Sequence, residues 1–171
     1  MSVSVRDMRR SRGDQQWLES AYRDYLNDLA PLGTGMFPTL PEVGHREHDQ
    51  LTSWYADSSA HLLTVLKDDA PIGFAVVRTG HVIAGRGAVD FSMAEFFVSR
   101  PWRRRGIGQD AVRLILDRFS GRWHIMEYLR NPQAVAFWRR VVGEYTAGRY
   151  QERLENGEIH QYFESRVRRA H

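Results

Sequence analysis

The chain has 171 residues, 42% hydrophobic and 26% charged, with a formal net charge of +3; this is the size and balance of one globular domain with its own core, and residues 1–171 read as a single domain. It contains no cysteine, which excludes a disulfide framework, a thiolate nucleophile and a cysteine zinc site, and no apolar run approaches the roughly 20 residues that span a bilayer. All but one of its 24 basic residues are arginine, Lys67 being the exception, so cationic contacts fall to planar donors suited to phosphate and carboxylate.

The opening "MSVSVRDMRRSRGDQQW" has charges but neither the apolar core nor the cleavage site of a secretory signal, and a cytoplasmic location is expected. Next, Trp17, Leu18, Ala21, Tyr22, Tyr25, Leu26 and Leu29 recur with a 3.6-residue period and stop near Pro31, which predicts an amphipathic helix. "GTGMFPTLPEVG" reads as a shaped loop because its glycines and prolines break regular structure. A second helix is expected over about 46–58. "HLLTVLKDDAPIGFAVVRTG" predicts a hairpin turning at Asp68–Pro71. After the glycine-broken "HVIAGRG", the apolar "VDFSMAEFFVSR" predicts a strand buried on both faces and ending at Pro101. From Gly106 onward Ile107, Ala111, Val112, Leu114, Ile115 and Phe119 form a helical stripe. "RWHIMEYL" is a further strand. In "NPQAVAFWRRVV", Asn131 suits an N-cap and Pro132 the first helical position, while Ala134, Phe137, Trp138, Val141 and Val142 share a face. The remainder predicts a second hairpin turning at Asn156-Gly157.

The segment "PWRRRGIGQD" therefore joins a strand to a helix. Unpaired N–H groups gather at such a junction, and Gly106 and Gly108 leave room for a ligand at the positive end of the helix dipole, a setting suited to phosphate. By itself Arg-x-x-Gly-x-Gly is equally a solvated turn. No Gly-Lys-Ser/Thr comes after it, so it is not a Walker loop, and the third glycine of a dinucleotide fingerprint is missing.

The run "AEFFVSRPWRRRGIGQDAVRLIL", then a strand, then "NPQAVAFWRRVVGEY", resembles the two central motifs of the GCN5-related N-acetyltransferase (GNAT) family over about residues 91–145, with compatible element order across most of the chain. The resemblance implies the acyl-CoA N-acyltransferase fold: a mixed, mostly antiparallel central sheet of about six to seven strands with helices on both faces. It further implies acetyl-CoA as cosubstrate, its pyrophosphate held at Arg103, Arg104, Arg105, Gly106, Ile107 and Gly108. Its pantetheine arm would pair with the backbone at Phe97 and Val98, in a V-shaped opening between two parallel strands, and lie along Asn131, Phe137 and Trp138. The implied partners are acetyl-CoA and an amine acceptor, with neither nucleic acid nor membrane; a homodimer is compatible with the resemblance.

Direct attack by an amine on the thioester needs a base, an oxyanion donor and a proton for the thiolate, but no covalent enzyme intermediate. Glu95, the carboxylate in "MAEFF", is the candidate base, and Glu127 in "HIMEYL" is a second candidate; pairing with an arginine is the structural alternative for both. Where many members of the family carry an acidic tyrosine, this chain has Trp138, whose indole has no useful acidity. Water, Tyr128 or Tyr145 would have to substitute, or the thiolate leaves unassisted. His45 and His48 lack the pattern of a zinc site, no metal is expected, and His160 is a candidate only for lining a pocket. Two other classes compete: a non-catalytic acyl-CoA-binding regulatory domain and an arginine-rich nucleic-acid binder. Against the latter, the arginines are interspersed with acids and no nucleic-acid-binding motif is present.

Overall fold

The computed structural model of the chain describes residues 2–29, 51–83 and 87–166. The glycine- and proline-rich loop at 33–44, with His45 and His48, lies outside the described residues. Seven strands form one sheet: β1 (Val3–Asp7), β2 (Ala60–Lys67), β3 (Ala70–Ile83), β4 (Gly87–Val98), β5 (Gly121–Tyr128), β6 (Gln151–Glu155) and β7 (Glu158–Ser165). Their spatial order is β1-β2-β3-β4-β5-β7-β6. Every neighbouring pair is antiparallel except β4 and β5. The helices are α1 (Arg12–Leu29), α2 (51–56 of the described residues), α3 (Ile107–Arg118) and α4 (Pro132–Thr146).

Local chemistry accounts for the connections. Asp68 and Asp69 both take positive φ, 48° and 67°, in the two-residue turn that matches the twist of β2 and β3. Asn156 and Gly157 do the same between β6 and β7, at 51° and 75°. The Asn131 side chain accepts a hydrogen bond from the Ala134 N–H at 3.1 Å, and Pro132 opens α4, as its sequence requires.

The sheet is covered on both faces. Leu18, Tyr22, Tyr25 and Leu26 of α1 join Trp54, Leu62, Phe74, Val76 and Phe97 in one core. On the opposite face Val112, Ile115 and Leu116 of α3 and Trp138, Val141 and Val142 of α4 meet Met93, Trp123, Ile125 and Phe163. Arg9 fastens the α2 end of the first layer, its guanidinium donating to the carbonyls of Tyr55, Trp54, Asp57 and Ala60 at 2.6–3.1 Å. Buried Asp14 ties α1 to β1 and β2, accepting two bonds from Arg6 at 2.7 and 2.8 Å and one from Thr64 at 2.9 Å.

Several expectations are corrected. β1 forms from "VSVRD", where no element was expected. β3 continues to Ile83 and β4 begins at Gly87, so His81, Val82 and Ile83 pair with Val89, Ala88 and Gly87 and belong to the sheet. β4 is not buried on both faces: Gly87, Ala88 and Asp90 are exposed and most of its middle is half-buried, because β5 accompanies it for only three residues. Leu114 is 40% exposed, off the buried stripe that Ile107, Ala111, Val112 and Ile115 do form. Of the expected second helix, 51–56 is helical, 57–58 is not, and 46–50 lie outside the described residues. Among the described residues no helix is long and apolar enough to cross a membrane.

Candidate functional site

β4 and β5 pair only at Phe91–Trp123, Ser92–His124 and Met93–Ile125. Beyond Met93 and Ile125 the two parallel strands carry no further pairing with each other, so the sheet opens into a fork lined by 94–98 and 126–128. On its other edge β4 stays paired to β3, where the register steps from Val77–Met93 to Val76–Glu95. Ala94 is thus the extra residue of a β-bulge, which re-aims the side chains after it. Strict alternation would put Glu95 on the α3/α4 face with Met93. The bulge turns it to the α1 face, where it accepts a hydrogen bond from the Tyr25 hydroxyl.

The same register decides which backbone groups face the fork. The Ser99 N–H donates to the Ile72 carbonyl at 2.8 Å, and bonding alternates along an antiparallel pair. Phe97 therefore directs its N–H and C=O to β3. A Cβ added at Gly73 would stand 2.3 Å from the Phe97 carbonyl oxygen, which shows how closely the two backbones meet there. Of the two residues expected to pair with a pantetheine arm, only Val98 points into the fork; Phe96 is the other that does.

β4 runs through a short 3-10 turn, Arg100–Trp102, into the glycine junction. Gly106 is the N-cap of α3 in the left-handed conformation, φ 76°, which a glycine adopts without a Cβ penalty. The first intrahelical bond runs from the Asp110 N–H to the Gly106 carbonyl at 3.1 Å, so the N–H groups of 107–109 have no acceptor within the helix. A Cβ on Gly108 would lie 3.2 Å from Phe137 Cε2 and 3.8 Å from Phe96 Cε1. Phe137 stacks on Phe96 at 5.8 Å, and Trp138 meets Phe96 edge-on at 5.6 Å. Phe96, Phe137 and Trp138 thus wall the fork where it meets the turn, and Asn131 opens the same helix.

The arginines are placed differently from the expectation. The Arg103 guanidinium donates through Nε to the Val98 carbonyl at 2.7 Å, bonds Asp28 of α1 and lies over the Phe97 ring. Arg100 reaches the same Asp28 carboxylate at 2.8 Å. Burial pushes the Asp28 carboxyl up, but the bonds from Arg103 and Arg100 outweigh it and hold it below the ordinary range. Arg103 therefore braces the turn against α1 through Asp28; all three arginines are exposed, Arg105 lying over Trp102.

The two candidate carboxylates lie on opposite faces. Glu95 is half-buried, and desolvation of its carboxyl pushes its pKa up to about 8. Glu127 lies under α4 at 3% exposure, with no hydrogen-bond partner for either oxygen. Desolvation, with the Glu152 charge, raises it to about 8 against the opposing Arg139 and Gln161; the Gln161 amide is itself committed to Glu152 at 3.2 Å. Tyr145 is far from either role, its hydroxyl donating to Asp117 of α3 at 2.7 Å. Tyr128, at the open end of β5, projects to the Glu95 side; burial raises its pKa, and the charges of Glu158 and Glu95 add to that. His160 shares this side, hydrogen-bonded to His124 at 2.8 Å and near Glu158 at 3.0 Å. Among the described residues no cluster of three or more His, Asp or Glu is placed to hold a metal ion.

Sequence reasoning missed Tyr25, Asp28 and Phe96. Helical spacing makes Tyr25 a core aromatic; its separation from Asp28, one helical turn, was the available signal, but nothing local names their partners.

The sequence model described as "Acetyltransferase (GNAT) family" matches residues 16–143. No curated protein sequence matches the chain. Solved structures similar to it include an acetyltransferase from Thermus thermophilus, with TM-score 0.68 and 17% identity over 96% of this chain and 97% of that one. The PaiA N-acetyltransferase from Thermoplasma acidophilum in complex with coenzyme A gives TM-score 0.62 and 11% identity, covering 96% and 99% of the two chains. The spermidine N-acetyltransferase from Vibrio cholerae in complex with CoA and spermine gives 0.61 and 14%, covering 95% of each. At these identities the likeness is one of fold.

Proposed function

The chain belongs to the GNAT acetyltransferase family, and from that premise we propose that it transfers the acetyl group of acetyl-CoA to a primary amine, with a small molecule as acceptor, by direct attack in a ternary complex. The observation that carries this is the fork between β4 and β5 leading into the Gly106–Gly108 turn at the start of α3. The fit is specific: a run of acceptorless N–H groups suits a pyrophosphate, a Cβ-free Gly108 lets it approach, and the fork leaves backbone groups of Phe96 and the N–H of Val98, whose carbonyl Arg103 holds, for an extended arm. When bound, acetyl-CoA supplies the activated thioester.

The chain's own residues supply the rest. The Val98 N–H is the donor available to a developing oxyanion. Glu95, turned to the α1 side by the bulge, accepts the proton of the attacking nitrogen, and a pKa near 8 suits a base at neutral to mildly alkaline pH. Tyr128, not Tyr145, is the hydroxyl placed to assist the departing thiolate; Trp138 packs on Phe96 and has no acid to offer. Glu127 is left as a buried structural carboxyl on the opposite face. A small-molecule acceptor is favoured by the complex of the Vibrio cholerae relative with spermine.

The test is thiol release from acetyl-CoA over a panel of small amines and peptides carrying free amino termini, in wild type and Glu95→Gln. We expect at least one amine to be acetylated and the variant to lose about a hundredfold in kcat near pH 8. A Glu95→Gln variant with unchanged rate from pH 6 to 9 removes Glu95 as base. Absence of turnover together with stabilisation by CoA identifies a binding domain instead.

A further inference from the structure

The last turn of α1 touches the candidate site twice. Tyr25 donates to the Glu95 carboxylate, and Asp28, three residues on and so on the same helix face, bonds both Arg103 and Arg100 at the start of the glycine turn. Tyr25 is 5% exposed. Its ring is held edge-on by Phe74 at 5.4 Å and by Phe97 at 5.8 Å, with Tyr22 tilted against it at 5.9 Å. A ring fixed on three sides aims its hydroxyl with little freedom, and Phe97 also carries the Arg103 guanidinium on its face. One short piece of helix therefore connects the carboxylate of β4 to the turn that begins α3.

We propose that Tyr25 and Asp28 are positioning residues for the transfer: Tyr25 holds the Glu95 carboxylate oriented and favours its ionised form, and Asp28 holds Tyr25 in place by fastening α1 to Arg103. The inference rests on the acyl-transfer role of Glu95 proposed above. Its chemical basis is one of sign. An O–H donor stabilises a carboxylate more than a neutral carboxyl, because a charge-assisted bond is roughly twice as strong as a neutral one. Burial works the other way on Glu95, so Tyr25 opposes the burial and keeps the base usable nearer neutrality. The other titratable groups on Glu95's side are Tyr128 and His124 of β5 and His160 and Glu158 of β7, with Tyr128 feeling both carboxylates. His160 is engaged by His124 and Glu158, whereas the Tyr25 hydroxyl bonds Glu95 itself. Asp28 in turn occupies an arginine that the sequence pattern assigns to phosphate, which makes Arg103 a brace between the two halves of the site.

The experiment is a pair of pH titrations on wild type, Tyr25→Phe and Asp28→Asn, all as full chains. The first follows kcat/KM for the best amine; the second follows the Glu95 carboxyl carbon by 13C NMR, assigned with Glu95→Gln, and needs no turnover. In Tyr25→Phe we expect the acid limb and the NMR midpoint to move up together by about one pH unit. That is a loss of about tenfold in kcat/KM below the limb, with the wild-type value recovered above it and the CoA-induced rise in Tm unchanged. Asp28→Asn should move both in the same direction by a smaller amount, and Asp28→Glu should restore them. A Tyr25→Phe enzyme slowed equally at every pH, or an NMR midpoint that stays in place, overturns the inference and leaves the acyl-transfer reading standing. An NMR midpoint that moves while no amine is acetylated by wild type upholds the contact and removes the acyl-transfer reading, and with it the catalytic meaning of the shift.

Discussion

Replacing Glu127 by Gln isolates a free-energy term that the sheet builds in. The Glu127 carboxyl is 3% exposed and both its oxygens lack a hydrogen-bond partner; desolvation and the Glu152 charge carry it from an ordinary 4.5 to about 8. Between those two values the folded chain keeps a proton that the unfolded chain has released. Stability from this group is thus fully present below about pH 4.5 and is lost as pH rises through 8. At about 1.4 kcal/mol per pH unit, the loss between pH 5 and pH 8 is on the order of 4 kcal/mol, or roughly 8–16 °C in Tm for a domain of this size. Glutamine keeps the shape and cannot ionise, and its amide can donate to the Gln161 oxygen, which also lacks a partner. Urea unfolding at pH 5 and pH 8 should show wild type losing stability steeply, with two protons' worth of slope from Glu127 and Glu95. Glu127→Gln should show about half that slope and be the more stable protein at pH 8. Parallel curves for the two proteins would refute the reasoning and place the Glu127 oxygens in contact with water or a cation.

Gly108→Val puts branched carbon where a Cβ alone already stands 3.2 Å from Phe137; displacing that ring from Phe96 should cost about 1–3 kcal/mol in stability and at least about tenfold in CoA affinity by calorimetry. Arg105→Ala removes an exposed side chain lying over Trp102 and should change affinity by less than about threefold; the reverse order would mean that arginines, not backbone amides, hold the ligand. Arg9→Ala deprives four carbonyls of one donor and should lower unfolding free energy by about 2–4 kcal/mol, read by urea titration at constant slope. Asp14→Asn unpairs Arg6, whose bond chiefly holds the Asp14 carboxyl below its ordinary range. It should cost about 2 kcal/mol at neutral pH, and because that contribution is lost as pH falls through the lowered pKa, the difference from wild type should shrink on acidification.

Much of the framework is local and was legible. The 3.6-residue stripes of α1 and α4, the Asn131–Pro132 start and the Asn156-Gly157 turn are decided by residues that touch their own neighbours in sequence. The spacing of Arg103, Gly106 and Gly108 ahead of an apolar stripe likewise specifies a strand-to-helix junction with open N–H groups, and with "NPQAVAFW" it pointed to the family. Composition excluded a thiol nucleophile of the protein's own. What the chain could not show by itself depends on pairing between distant segments. Whether Glu95 faces α1 or α4 turns on a single bulged residue, Ala94, created by the register of β4 against β3. Whether Phe97 or Val98 offers its backbone to a ligand is set by that register too. Arg103 reads as a phosphate ligand until Asp28, 75 residues earlier, is seen to hold it, and Glu127 reads as a second candidate base behind Glu95 until alternation along β5 puts it beneath α4. Side-chain chemistry is written in the sequence, but the face of a sheet and the partner across it are set by strand register and by the helix that packs there, and only the folded chain supplies those.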